Sequence, residues 1–238
     1  MKKPEKPATP PATRQRILKV ATEEFANRGF AGARIETIMR RSRVSKNLIY
    51  HYFKSKEQLF QSVLESDYEK IRFDSVDWPV ADRDPIENIR DLVRLIFEHW
   101  QMSNQFIKLL ASENFSKGKH IRKLGRIKEE YGRRIERIES VLVEGARQGR
   151  IRPGIDAAEL YVSISALIYH RISNRYTLSF LLDRSYEDDA SLQACHRHVE
   201  DIVMAYIAPP DAEGAIGPEP LTLPTAQTAG QSARRNGP

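Results

Sequence analysis

Apolar residues recur at helical spacing along most of the chain, and proline marks the joints between the runs. Ile17, Leu18, Ala21 and Phe25 fall on one face and predict a first helix. Thr13 is its expected cap, Arg28 its approximate end, and Gly29 a left-handed terminator with Phe30 packing back. A short helix holding Ile35, Ile38 and Met39 follows, then a tight turn and a second short helix from Ser45 to about Tyr50, with Leu48 and Ile49 inward. Lys54-Ser55-Lys56 opens a fourth helix in which Leu59, Phe60, Val63 and Leu64 face the interior, running to about Ile71. The stretch from Asp74 to Pro85, with two prolines and four aspartates, is expected to be a hinge or loop. Beyond it the periodicity predicts helices from Ile86 to about Met102, over Gln105–Phe115, and from about His120 to Gln148. Two more are predicted, through Leu160–Ile172 toward Leu181 and from about Glu187 to Ala208. No alternating Val/Thr/Tyr run bounded by Asn-Gly or Asp-Gly occurs, so the expectation is an all-α fold.

Charge changes this picture at one end. Residues 1–60 carry 14 Lys and Arg against 5 Asp and Glu, while the remaining chain carries 24 against 27. A basic head on a slightly acidic body suits a polyanion partner for the head alone, although a solvated basic surface would give the same count. From Arg34 to Lys56 there are seven basic residues and one acid, Glu36. Two short helices across a tight turn, with polar residues outward on the second, form the pattern of a helix-turn-helix DNA reader.

The segment from about Thr13 to Ile71 resembles the DNA-binding domain of TetR-family transcriptional repressors. The resemblance rests on F-A-N-R-G-F and on I-E-T-I-M-R-R-S-R-V-S-K-N-L-I-Y-H-Y-F-K-S-K-E-Q-L-F. It implies a helix-turn-helix domain over 13–58 and a helical effector-binding and dimerisation domain over 59–208; residues 1–12, rich in Pro and Lys, are expected to be a disordered basic arm and residues 209–238, rich in Gly, Ala, Pro and Thr, a disordered tail. Ser45 then caps the recognition helix and meets a phosphate, while Lys46 and Asn47 reach base edges, Lys suiting guanine and Asn adenine. Tyr50 and His51 fall at the family's phosphate positions, and Lys56 stands at a helix start where a phosphate is held. Two positions depart from the family. Ala33 and Arg34 replace the usual threonine before the second helix, Arg34 offering a phosphate contact instead. Ser42-Arg43 replaces Ala-Gly in the turn, leaving Arg43 in a left-handed conformation that costs about 1 kcal/mol without glycine. Tyr52 and Phe53 are expected in the core. Arg40 and Arg41 are either a solvated face or DNA contacts.

For the body, the resemblance implies a pocket for a small-molecule effector. Phe97, Trp100, Phe106, Phe115, Tyr131 and Tyr169 are candidate lining, with His99, Asn104, Glu113 and Asn174 as polar neighbours; plain core packing is the alternative. Ile164, Ile168, Leu192, Val199, Ile202 and Tyr206 are candidates for half of a four-helix homodimer interface, or else for a helix pair inside one protomer. Gly125, Gly132 and Gly145 interrupt the long helix, for close approach or for pocket space. Cys195, His196 and His198 diverge around a helix and make a poor metal site. No catalytic, cofactor-binding or metal-binding motif stands out. One cysteine, no apolar leader and no membrane-length segment point to a cytoplasmic protein. The expected protein is a homodimeric, effector-released repressor on a pseudo-palindromic double-stranded DNA operator. The alternatives are an activator or ligand-independent regulator of the same fold, or an all-α adaptor or enzyme with a basic head.

Overall fold

A computed structural model of the chain describes residues 10–69, 78–101 and 104–210, and among them every regular element is helical. The first four helices, α1 (Pro10–Gly32), α2 (Ile35–Ser42), α3 (Lys46–Phe53) and α4 (Lys56–Glu69), make the basic head. Ile17, Ala21 and Phe25 of α1 close on Leu59, Phe60, Val63 and Leu64 of α4, all fully buried, with Ile38 and Ile49 set into the same core. Thr13 is not the cap of α1 but a buried residue inside it. The helix begins at Pro10 because first-turn N–H groups have no intrahelical acceptor, so proline there forfeits nothing. Residues 10–12 of the expected arm therefore belong to α1. The boundary expected between residues 58 and 59 falls inside α4, a continuous helix that completes the head's core.

The body consists of α5 (Pro85–Gln101), α6 (Asn104–Phe115), a 3-10 turn (Ile121–Lys123), α7 (Gly125–Arg147), α8 (Ala157–Ser173), α9 (Arg175–Leu181) and α10 (Asp189–Ile207). Helix α5 is central and packs on α7, α8 and α10; its Ile89, Leu92, Val93 and Ile96 are shut away from water. The loop before it is less loose than its prolines suggest. Trp78 is buried, its indole N–H donating to the Asn88 carbonyl at 2.9 Å, and the Asn88 amide both accepts from Val80 N–H and donates to the Val80 carbonyl. Residues 74–77 of the expected hinge, like residue 71 at the expected end of the fourth helix, lie outside the described residues.

Two expected helices are divided. Leu124 (φ −105°, ψ 71°) interrupts the run from His120, so α7 starts at Gly125. Asn174 ends α8 by donating from its side chain to the His170 carbonyl at 2.9 Å, and α9 restarts after it. Side-chain capping sets other boundaries: Asp156 accepts from Glu159 N–H at 2.9 Å and Asp188 from Ser191 N–H at 2.7 Å, where each satisfies an otherwise orphaned donor. Of the three glycines in the long helix, only Gly145 is a close approach, since a Cβ there would lie 2.5 Å from Cδ1 of Ile151. Gly125 and Gly132 face open space.

Head and body meet along α1 and α6. Gly29, at φ 65°, turns the chain sharply, and a Cβ on it would come within 3.2 Å of the Ser112 hydroxyl. That turn carries Phe30 against Phe60 (ring centroids 5.3 Å apart) and against His120 of the body (4.4 Å). Lys108 donates to Asn27 at 3.0 Å, and Lys123 pairs with Glu57 at 2.5 Å.

Candidate nucleic-acid interface and effector cavity

Helix α3 presents two unlike faces. Ile49 and Phe53 are buried in the head, while Lys46, Asn47 and His51 are exposed. Ser45, extended at φ −75° and ψ 157°, caps the helix by accepting from Leu48 N–H at 3.2 Å. Tyr50 and Tyr52 are half-buried against the core. Leu48, expected in the core beside Ile49, is only partly covered, because the helix turns about 100° per residue and Ile49 already takes the inward position. The helix runs three residues past its expected end, to Phe53.

The turn before α3 follows the strained geometry expected of it. Arg43 sits at φ 53°, ψ 45°, its N–H bonding to the Arg40 carbonyl, and Val44 N–H reaches the Met39 carbonyl at 3.2 Å. This is a Schellman closure built without glycine. Arg16 adds a bond from its guanidinium to the Ser42 carbonyl at 2.9 Å, so α1 caps the end of α2. Arg34 precedes α2 in extended conformation and its side chain makes no cap; its backbone N–H donates to Glu24 of α1 at 3.2 Å instead. Its guanidinium remains exposed on the head.

Electrostatics divides the cations. Lys46 pairs with Glu36 at 3.2 Å in solvent, and Glu36 is held below the ordinary carboxylate range by a backbone N–H bond and by Lys46. Arg41 pairs with Glu23, whereas Arg40 is exposed. Lys56 donates to the Ala31 carbonyl at 3.3 Å and lies 5.0 Å over the Phe30 ring. Burial lowers its ammonium pKa, so any phosphate it holds competes with this internal seat.

The expected effector lining divides sharply. Phe115 is 92% exposed at the end of α6 and cannot line an interior cavity, a correction that follows from its place on the outward side of the last helical turn. Phe97, Trp100 and Phe106 are buried and pack edge-on or stacked with their neighbours: Trp100 lies 5.8 Å from Phe106 and 4.9 Å from half-buried Tyr169. These contacts are core packing. Among the polar neighbours, Asn104 is exposed, Asn174 terminates α8, and Glu113 is turned away from that cluster. Glu113 accepts from His120 N–H at 2.6 Å and Ile121 N–H at 2.9 Å, and meets His120 Nδ1 at 2.8 Å. His99 is buried against Phe106, and burial followed by the nearby Arg134 charge pushes its pKa down to about 4.

A cavity of about 320 Å³ opens elsewhere, lined by Tyr68, Ile121, Arg122, Leu124, Ile127, Lys128 and Tyr131. Of the expected lining only Tyr131 belongs to it. The rest escaped sequence reasoning because Tyr68 and the Ile121–Leu124 segment are brought together only by folding.

The expected dimer positions also separate. Ile164, Ile168 and Val199 are sealed inside the protomer, and Leu192 is partly covered. Two apolar periods run along α8 and α10, and the chain needs the inner one for its own core. Ile202 and Tyr206 are 39% and 46% exposed, and join Val162 and Leu167 on the outer faces of α10 and α8. Cys195 is buried, which raises its thiol pKa, while His196 packs on Phe97 at 5.1 Å. Among the described residues no helix is long and apolar enough to cross a membrane.

Known proteins share this arrangement. Residues 17–63 match the family model for bacterial regulatory proteins of the tetR family, and residues 85–203 match that for the tetracyclin repressor-like C-terminal domain. The HTH-type transcriptional repressor NicS of Pseudomonas putida is 35% identical over 170 residues, which span 71% of this chain and 80% of that protein. The HTH-type transcriptional repressor SCO4008 of Streptomyces coelicolor is 34% identical over 159 residues, 66% of this chain and 77% of that protein. In structure, the transcriptional regulator SCO4942 of Streptomyces coelicolor aligns with a TM-score of 0.62 at 24% identity, over 83% of this chain and 99% of that one, a likeness of fold alone. With both family models matched over the head and the body, the chain belongs to the TetR family of bacterial transcriptional regulators.

Proposed function

We propose that the protein is a homodimeric repressor that seats α3 of each protomer in the major groove of a pseudo-palindromic operator and leaves it when a small effector binds the body. The observation that carries this is the two-faced α3: Ile49 and Phe53 lock it into the head while Lys46, Asn47 and His51 point outward from a Ser45 cap. Lys46 and Asn47 at its start take the base edges; Ser45, Tyr50 and His51, with Arg34, Arg43 and Lys56 around them, take the phosphates. The naming of NicS and SCO4008 as repressors favours repression over activation. The outer faces of α8 and α10, with Val162, Leu167, Ile202 and Tyr206, supply an apolar surface for a second copy.

Gel-shift titration on the DNA upstream of the gene, at two salt concentrations, tests the reading. A DNA reader loses affinity steeply with salt and holds its operator in excess over random sequence. Asn47→Ala should relax preference at particular bases, costing about 1–3 kcal/mol there, while Tyr50→Phe should weaken binding to all sequences alike. Equal losses on operator and random DNA for both variants would refute this division of roles.

A further inference from the structure

The cleft between the end of α4, the 3-10 turn and the start of α7 has a chemistry of its own. Its body is apolar and aromatic: Tyr68, Leu124 and Ile127 are buried, and Tyr131 and Ile121 half-buried. Burial raises the Tyr68 phenol to about 12 and Tyr131 well above the ordinary range, so both walls stay neutral. The charged residues that line it are Arg122 and Lys128, both exposed at the rim.

Four carboxylates on or beside these elements are engaged elsewhere: Glu57 with Lys123, Glu69 and Glu130 with Arg126, and Glu113 with His120. Among the described residues no carboxylate pairs with Arg122 or Lys128. The start of α7 adds to the imbalance, having neither a side-chain cap nor an acidic residue in its first turn. About 320 Å³ lies at the small end of the roughly 300–1,000 Å³ range of ligand pockets.

We propose that this cleft binds a small apolar anion, a carboxylate carried on a ring or a short acyl chain, with Arg122 and Lys128 holding the charge and Tyr68, Leu124, Ile127 and Tyr131 the body. The regulatory part rests on the reading of the protein as a DNA-binding regulator. The wall of the cleft is also the joint with the head. Glu113 takes the N–H groups of both His120 and Ile121, and the His120 ring is wedged 4.4 Å from Phe30 and 4.9 Å from Phe60. A ligand that displaces Ile121 and Arg122 moves His120 against the two phenylalanines that set α1 on α4. The reading head shifts with them.

The test is calorimetric titration of the full chain with benzoate, phenylacetate and octanoate, and with the matched alcohols: benzyl alcohol, 2-phenylethanol and octanol. The acids should bind at least about tenfold more tightly than their alcohols, the worth of one charge-assisted contact. In R122Q/K128Q, whose altered residues are exposed and whose melting should be unchanged, that advantage should vanish while the alcohols bind as before. Alcohols binding as tightly as acids, an advantage that survives in R122Q/K128Q, or no binding by any of the six would each overturn the ligand assignment. The same acids should weaken DNA binding in the unaltered protein and not in R122Q/K128Q; acids that bind without this effect would overturn the coupling. DNA binding by the ligand-free protein checks the regulator reading separately. Its failure with acid binding intact leaves the cleft standing, and its success without acid binding sinks the cleft alone.

Discussion

At the scale of single residues, the head tolerates strain in the turn before α3. Arg43 holds a left-handed conformation (φ 53°) that glycine would adopt freely, and its compensation is a closed helix end plus an exposed guanidinium beside α3. Arg43→Gly should therefore raise protomer stability by about 1 kcal/mol in urea melts while weakening DNA binding. A loss on both counts would mean that the arginine side chain itself supports the fold. His99 carries a different cost. Its pKa in the folded protein, about 4, lies below the roughly 6.5 of an unfolded chain, so on acidification the unfolded state takes up its proton first. Stability should fall as pH drops below about 6.5, and the loss is complete once pH passes below about 4, amounting to about 3 kcal/mol. Denaturation of the wild type and His99→Gln across pH 7 to 4 checks this: the difference between them should shrink steadily toward acid. A pH-independent difference would place the imidazole in water.

At the scale of the elements, caps and glycines set boundaries that periodicity alone blurs. Ser45, Asp156 and Asp188 all cap by accepting a backbone N–H three residues on, and all three are readable as polar residues ahead of an apolar run. The break at Leu124 has no such signature, since an apolar residue there continues the helical pattern. Glycines of identical appearance in α7 have opposite roles. Gly132→Ala fills open space on a helix and should stabilise by about 1 kcal/mol, whereas Gly145→Ala drives a Cβ into Ile151 and should destabilise by about 1–3 kcal/mol. Paired thermal melts decide this, and the same sign for both substitutions would contradict the packing.

At the scale of the molecule, α8 and α10 each carry two apolar faces, and the outer one is where the proposed dimer would form. Each helix buries an inner stripe inside the protomer: Ile164 and Ile168 from α8, Val199 and Val203 from α10. The outer stripe is left apolar and unburied, and a patch of that kind marks an interface. Ile202→Glu should leave the protomer's melting near the wild-type value yet shift it toward monomer in sedimentation velocity, with operator affinity falling as the second reading head is lost. A dimer that persists in Ile202→Glu would remove this face from the interface. The joint between α1 and α6 matters equally, because it makes the head a body-supported unit: Phe30 packs on both Phe60 and His120.

The helical class, the four-helix head and the polar outer face of α3 were legible in the chain because they depend on local order: apolar spacing, caps, and a motif contiguous from Val44 to Lys56. The αL geometry at Arg43 was legible for the same reason. The cavity and the apolar outer faces of α8 and α10 were not. Phe97, Trp100 and Phe106 share a helical period with any core residue, and only packing shows that they fill space while Tyr68, Ile121 and Ile127 leave it open. Likewise Ile164 and Ile202 look alike as members of apolar periods, and only the packing of the body's helices decides that the first is interior and the second exposed. Periodicity records that a face is apolar; which partner covers it is set by how helices distant in sequence are brought together.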